Sequence, residues 1–250
     1  MPDLGPPSPT LRVCALYPDL MNIYADRGNL LLLRRRCAWR GLDFQLTGAG
    51  LGAAIDPEAH DLFYLGGGQD RDQALCAQDL VDTKRDALHA AAARGAVVLG
   101  VCGGYQLLGH SYEVGDDVLP GAGLLDVTTV RHAGERLIGN VAIRVQLPGA
   151  DGPRIIAGFE NHGGRTHLGA DAAPLGRVLK GHGNTGDSGF EGAFHGTVIG
   201  TYIHGPLLPK NAWLADWLTQ KALRLDASLP LLDDTLEDAA HACARTAAGL

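Results

Sequence analysis

Cys102 carries the strongest chemical signal in the sequence. It lies in the segment LGVCGGYQ, residues 99–106, where an apolar run meets glycines and a helical pattern follows. This order predicts a nucleophile elbow, in which a strand delivers the cysteine into a sharp turn and a helix N-terminus favours the thiolate. The alternative is a buried core cysteine beside flexible turns. The other four cysteines fit that alternative: Cys14, Cys37, Cys76 and Cys243.

A thiolate nucleophile needs a partner that handles protons, and histidine is the usual residue near neutral pH. Of the ten histidines, His204 follows an apolar run, residues 198–203, and Gly205-Pro206 turns the chain directly after it. It is therefore expected at a strand end, where open α/β sheets place their sites. His162, in the segment FENHGGR, is the alternative.

The glycine run 66–68 ends another predicted strand. Its backbone N–H groups could stabilise an oxyanion together with the N–H of Gly103, or the run could be a flexible turn. It is not a dinucleotide fingerprint, because Arg71 occupies the third glycine position, and the sequence has no Walker-type loop. No means of binding ATP by this chain is visible.

The elements that position these residues alternate between strands and helices. Such alternation predicts an α/β fold with a mostly parallel sheet flanked by helices, followed by added β segments. A closing helix is predicted over 211–225, with Asn211 as its N-cap. The earlier predicted strands are 11–16, 44–46, 61–65 and 96–101, the later ones 141–147, 155–159 and 197–202, and the earlier helices run from Pro18 to Gly41 and over 70–94.

Composition excludes several classes of protein. The net charge of −7 argues against nucleic acid as a partner, and the run Arg34-Arg35-Arg36 is interpreted as a solvated helix face. The five cysteines are widely spaced without a C-x-x-C pair, so neither disulfides nor a metal site is predicted and a reducing cytoplasm is expected. Residues 1–10 lack a signal-peptide core, and no apolar stretch is long enough to span a bilayer.

Several longer segments carry a resemblance to a known family. Segment 100–106 resembles the G-x-C-x-G-x-Q motif of class I, triad-type glutamine amidotransferases, which have a flavodoxin-like fold. The similarity extends over about residues 11 to 225 and is greatest to the cobyric-acid-synthase-like branch, especially the glutaminase subunits of lipid II isoglutaminyl synthases. The matched segments are YPDLMNIY at 17–24, GGGQD at 66–70, GFENHGGRT at 158–166 and GTYIHGPLLPKN at 200–211.

The resemblance implies a division of labour between two subunits. This chain would hydrolyse L-glutamine and pass ammonia to a Mur-ligase-like subunit, with which it forms a heterodimer. That partner would use ATP and Mg to amidate D-glutamate in the lipid II stem peptide, so no cofactor is expected in this chain. The alternatives are a glutaminase serving another acceptor such as a corrinoid carboxylate, a cysteine hydrolase of another substrate, and a docking subunit without turnover.

The resemblance also assigns roles to individual residues. Cys102 would be the nucleophile and His204 the general acid/base. Arg136 would hold the glutamine carboxylate, which suits the planar fork of a guanidinium. By itself, Arg136 would be interpreted as a surface residue. The remaining predicted substrate-binding residues are Gly67 and Gly103, at the oxyanion hole, and Gln106.

One position departs from the family pattern. Triad amidotransferases commonly carry glutamate two residues after the histidine, and here that residue is Pro206. The group that orients His204 would be Glu160, another residue of this chain, or a carboxylate of the partner subunit. We favour the partner as a hypothesis, because it would couple hydrolysis to complex formation. The amidotransferase domain is expected over 11–225, with 226–250 as a helical or frayed extension.

Overall fold

Strands and helices alternate along the first half of the chain, and strands dominate the second. The computed structural model describes residues 8–23 and 26–250. Its strands are β1 (Thr10–Leu16), β2 (Asp43–Ala49), β3 (Leu62–Leu65), β4 (Val97–Val101), β5 (Ser111–Val114), β6 (Asp117–Pro120), β7 (Val127–Arg131), β8 (Leu137–Val145), β9 (Arg154–His162), β10 (Gly164–Leu168), β11 (Gly176–Lys180), β12 (Phe190–Glu191), β13 (Ala193–His195) and β14 (Val198–Thr201). Its α-helices are α1 (Arg27–Trp39), α2 (Asp70–Asp79), α3 (Arg85–Ala93), α4 (Gly103–Leu108), α5 (Ala212–Ala222) and α6 (Thr235–Ala247).

A six-stranded sheet with the order β13-β14-β4-β3-β1-β2 forms the centre of the structure. The five strands from β14 to β2 are parallel, and β13 pairs antiparallel with β14 at one edge. Two further four-stranded sheets, β10-β7-β5-β6 and β12-β11-β8-β9, come from the second half of the chain. The predicted mostly parallel α/β sheet with added β segments is therefore present.

Helices cover both faces of the central sheet. Along β1, Leu11 and Val13 belong to an apolar cluster with residues of α1 and α5. Cys14 and Leu16 belong to a second cluster with residues of α2, α3 and α4. Side chains alternate between the two faces of a strand, so both faces need apolar residues when both are covered. This explains why the parallel strands are almost continuous apolar runs.

The predicted helix from Pro18 to Gly41 begins later than expected. Residues 17–21 form turns in which the Met21 N–H donates to the Tyr17 carbonyl at 2.8 Å, and α1 begins at Arg27. Tyr24, the last residue of the matched segment 17–24, lies outside the described residues, as do residues 1–7. The predicted helix over 70–94 also differs, because a π-helical turn separates α2 from α3. Such turns widen a helix locally, and here the turn ends at Lys84, which is buried against Asp79.

Two exposure predictions are wrong. Arg36 is buried rather than solvated, because α1 packs against α5 and its guanidinium pairs with Asp216 at 2.5 Å and Asp234 at 2.7 Å. Arg34 and Arg35 are exposed, as predicted. Cys243 lies exposed on α6, whereas the pattern placed it in the core.

Within residues 226–250, helix α6 (Thr235–Ala247) follows a non-helical stretch over 226–234. Helix α6 packs against β8 and β9, where Ala248 joins a small cluster with Ala142 and Ala157. Asn211 stands before α5 as predicted, but its side chain does not cap that helix. The amide instead exchanges two hydrogen bonds of 2.9 Å with the backbone of Ala157, on β9. Within the described ranges, no helix is long and apolar enough to cross a membrane.

Candidate active site

Cys102 lies at the predicted turn between β4 and α4. Its backbone has φ +53° and ψ −109°, a conformation that costs free energy in residues other than glycine and is typical of nucleophile elbows. Gly104 makes the turn fit, because a Cβ atom there would lie 2.1 Å from the Leu65 carbonyl oxygen. The Cys102 N–H donates to the Thr201 carbonyl at 2.8 Å, so the ends of β4 and β14 lie side by side.

The surroundings of Cys102 favour its thiol over its thiolate. Burial raises its pKa to about 12, and the negative charge of Asp26 acts in the same direction. The Gly103 N–H and the Arg136 guanidinium lower the pKa, but the effect of burial is larger. For this sulfur to act as a nucleophile, a second group would have to take its proton.

His204 follows β14 and is 1% exposed. Its backbone pairs with Phe159 through hydrogen bonds of 2.9 and 3.1 Å, which fixes the loop after the strand. Burial lowers the pKa of His204 to about 4, and the charges of His162 and Lys210 add to that effect. The imidazole is therefore neutral near pH 7 and can accept a proton.

Two other residues were considered from the sequence: Glu160 as the group that orients His204, and His162 as the alternative to His204. Hydrogen bonds and ring stacking hold both of them in place. The Glu160 carboxylate accepts hydrogen bonds from the N–H groups of His182 and Gly183 at 2.6 and 2.9 Å, and its charge raises the pKa of His204 without outweighing burial. His162 stacks on Tyr202 with ring centroids 3.6 Å apart, and its Nδ1 lies 2.9 Å from the Gly164 carbonyl. Both residues are engaged in packing the loops that surround the predicted site.

A cavity of about 430 Å³ opens at Cys102. Arg136 borders this cavity and is held in place by Asn161, whose Oδ1 and carbonyl oxygens accept from its Nε and Nη2 at 2.8 and 2.9 Å. The structure thus brings Arg136 and Cys102 to the same cavity, although the neighbours of Arg136 in the sequence give no sign of this. The described lining residues are Ile23, Gly68, Gln69, Asp70, Arg71, Cys102, Arg136 and Asn161.

Gln106 borders a smaller chamber that also reaches Cys102. Its Oε1 accepts from Gln73 at 2.9 Å, and its Nε2 donates to the Tyr202 hydroxyl at 3.1 Å. Gln106 is 4% exposed and links α4 to α2 and to the end of β14. These contacts fix the inner wall of the site.

Gly67 makes a contact that the sequence did not predict. Its N–H donates to Asp26 Oδ2 at 2.6 Å, and its carbonyl accepts from the Ile23 N–H at 3.2 Å. One of the two predicted oxyanion donors is therefore occupied by a carboxylate of this chain, whereas Gly103 directs its N–H to the Cys102 sulfur. Nothing in the local pattern around Asp26 indicates this contact.

Asp26 makes the stability of the protein depend on pH. Burial raises its pKa to about 7 from 3.8, although hydrogen bonds from Gly67 and Tyr64 oppose the change. Between these two values the folded state retains a proton that the unfolded state has released, so the free energy of unfolding decreases as pH rises through this window. In Asp26→Asn, which cannot ionise, this decrease should be absent. Relative to wild type, the variant should therefore gain on the order of 3 kcal/mol between pH 4 and pH 8.

Denaturant unfolding of both proteins at the two pH values measures this gain. A difference between variant and wild type that is the same at both pH values would show that Asp26 does not change its protonation across this range. Far-UV circular dichroism at each pH confirms that the folded states being compared are equivalent.

Comparison with known proteins places this site in a family. The CobB/CobQ-like glutamine amidotransferase domain matches residues 12–212, and the chain therefore belongs to that family of glutamine amidotransferases.

Within the described part of the chain, no group of three or more His, Cys, Asp or Glu side chains could hold a metal ion.

Two relatives extend the similarity over nearly the full chain. Each is named lipid II isoglutaminyl synthase (glutamine-hydrolyzing) subunit GatD. The protein from Streptococcus pneumoniae is 36% identical over 90% of this chain and 87% of its own length, and that from Staphylococcus aureus is 39% identical over 85% and 84%. A cobyric acid synthase from Pelotomaculum thermopropionicum is 42% identical, over 54% of this chain and 28% of its own length. The predicted family resemblance is thus confirmed.

A solved structure shares the fold. A chain of PurLQS from Thermotoga maritima superposes with a TM-score of 0.57 over 86% of this chain and 95% of that chain, at 20% identity. Together with the family match, this confirms the predicted class I glutamine amidotransferase-like fold.

Proposed function

We propose that the chain is the glutamine-hydrolysing subunit of a lipid II isoglutaminyl synthase and supplies ammonia for peptidoglycan synthesis. The similarity to GatD subunits over 84–87% of their length carries this proposal. The nucleophile elbow at Cys102, beside the strand end that bears His204, supplies the chemistry. The cobyric acid synthase is a weaker guide, because the match covers only 28% of that protein.

In the proposed reaction, Cys102 loses its proton to His204 and its sulfur attacks the Cδ atom of glutamine. Backbone N–H groups, that of Gly103 and that of Gly67 once Asp26 releases it, stabilise the tetrahedral oxyanion. His204 then protonates the leaving nitrogen, so that the C–N bond breaks and ammonia departs. A water molecule, deprotonated by His204, cleaves the γ-glutamyl thioester to glutamate and regenerates the thiol.

The partner in this proposal is a Mur-ligase-like subunit that binds ATP and Mg and activates the acceptor carboxyl of lipid II. It also supplies the carboxylate that orients His204. The pKa values support this second role, because a thiol of pKa about 12 does not readily transfer its proton to an imidazole of pKa about 4. A carboxylate beside His204 would stabilise the imidazolium and make that transfer easier. Pro206 cannot provide it.

The proposal places the complex in the cytoplasm. All five cysteines are free thiols, and three of them besides Cys102 are buried in the core. Free thiols persist in a reducing compartment, where the glutathione and thioredoxin systems maintain them.

Ammonia release from glutamine by the purified chain, alone and after co-expression with candidate Mur-ligase-like subunits, tests the proposal. We expect weak hydrolysis by the chain alone and a stimulation of about 100-fold or more by the correct partner, within the range of general acid–base effects. Substitution to alanine of each partner carboxylate near the interface should identify the one that abolishes stimulation. Full activity of the isolated chain would refute a partner-supplied carboxylate. Amidation of a corrinoid, and not of lipid II, would identify the other acceptor.

A further inference from the structure

Two opposite charges border the cavity at Cys102. Arg136 and Asp70 both line the 430 Å³ cavity, and both also line an adjoining cavity of about 380 Å³ and the small inner chamber. Both also act on the sulfur electrostatically, since Arg136 lowers the pKa of Cys102 and Asp70 raises it. A cation and an anion thus share one space with the nucleophile.

Asp70 is held at this position by its place in the fold. It is the first residue of α2, two positions after Gly68, and its exposed side chain lines the cavity. The Tyr112 hydroxyl donates to Oδ1 at 3.4 Å, a long contact. Among the described residues that line the 430 Å³ cavity, Asp70 is the sole acid, whereas Arg71 and Arg136 are both basic.

Glutamine in water is a zwitterion, and its ammonium and carboxylate groups are attached to the same carbon atom. If Arg136 binds the carboxylate, the ammonium group must lie within a few ångströms of that guanidinium, where a second cation would repel it. A neighbouring carboxylate removes this repulsion and accepts a charge-assisted hydrogen bond.

From this juxtaposition we propose that Asp70 binds the α-ammonium group of glutamine and makes the site selective for an α-amino acid over other primary amides. This inference rests on the proposed function and adds a specificity-determining residue to it. A site built to bind a polar group discriminates strongly against a substrate that lacks that group, because its own polar atom is then left unpaired.

The alternative is that Asp70 only stabilises helix α2 and does not contact the substrate. An acidic residue in the first turn stabilises a helix through the helix dipole. Asp72 also lies in the first turn of α2. Asp72 does not line the cavity at Cys102. Asp72→Asn therefore removes the same kind of charge from the same turn without touching the proposed substrate contact, and provides the matched control.

The test compares L-glutamine with glutaramate, which is glutamine without its α-amino group. The full chain, in complex with its co-expressed ligase subunit, is assayed for ammonia release from each compound. Wild type should prefer L-glutamine by about 10- to 100-fold in kcat/KM, as expected for a hydrogen bond between charged groups. Asp70→Asn should lose most of that preference, chiefly through KM for L-glutamine, with glutaramate hydrolysis within about twofold of wild type. Asp72→Asn should retain the preference.

Three results would contradict the proposed role of Asp70. Equal losses on both compounds in Asp70→Asn would assign Asp70 a structural role, and no loss on either would remove it from the site. Equal kcat/KM for the two compounds in wild type would overturn the proposal without any variant, so the test does not depend on the folding of Asp70→Asn. Absence of glutamine hydrolysis by the wild-type complex would refute the proposed function instead.

Discussion

Replacing Cys102 with alanine is expected to lower glutamine hydrolysis by about 10⁴-fold or more. The covalent route requires a sulfur at the turn between β4 and α4, and loss of a nucleophile removes the contributions of its catalytic partners as well. Ammonia release by the complex with the ligase subunit measures the loss. Mass spectrometry of the intact chain after mixing with glutamine should show a γ-glutamyl adduct in wild type and none in the variant.

Cys243→Ala is the control for this variant, because Cys243 is an exposed cysteine on α6 and has no proposed role. It should hydrolyse glutamine at the wild-type rate. Retention of appreciable activity in Cys102→Ala would contradict covalent catalysis by this residue, provided that the variant still binds its partner.

Replacing His204 with asparagine should lower hydrolysis by about 10³-fold or more, since proton transfer is needed both to form the thiolate and to release ammonia. Asparagine suits this buried position because it retains polar atoms and is smaller than histidine. The rate constant for hydrolysis in the complex, followed from pH 5 to pH 9, is the measurement. Wild type should show an ionisation that His204→Asn lacks.

His162→Asn is the matched control, since His162 is also buried and also borders the chamber that reaches Cys102. Its ring stacks on Tyr202, so the substitution should affect stability more than the chemical step. A large loss of the chemical step in His162→Asn together with an active His204→Asn would exchange the roles of the two histidines.

Much of the architecture could be predicted from the sequence because local patterns determine it. The apolar runs that become β1, β3 and β4 are buried on both faces of a parallel sheet, and that burial is recorded in the residues themselves. The turn at Cys102 is equally local, since glycines on both sides allow the close approach of α4 to β3. The strand end that carries His204 follows from the same reasoning.

The sequence by itself thus determined the α/β sheet, the elbow at Cys102 and the strand end of His204, each within a continuous segment. Only the tertiary structure decided which distant residues join them. It brings Arg136 and Asp70 to one cavity, places Asp26 on the Gly67 N–H, and buries Arg36 between Asp216 and Asp234. Such contacts depend on how loops and helices pack against one another, and a charged residue has the same local pattern whether it meets water, a substrate or an ion-pair partner.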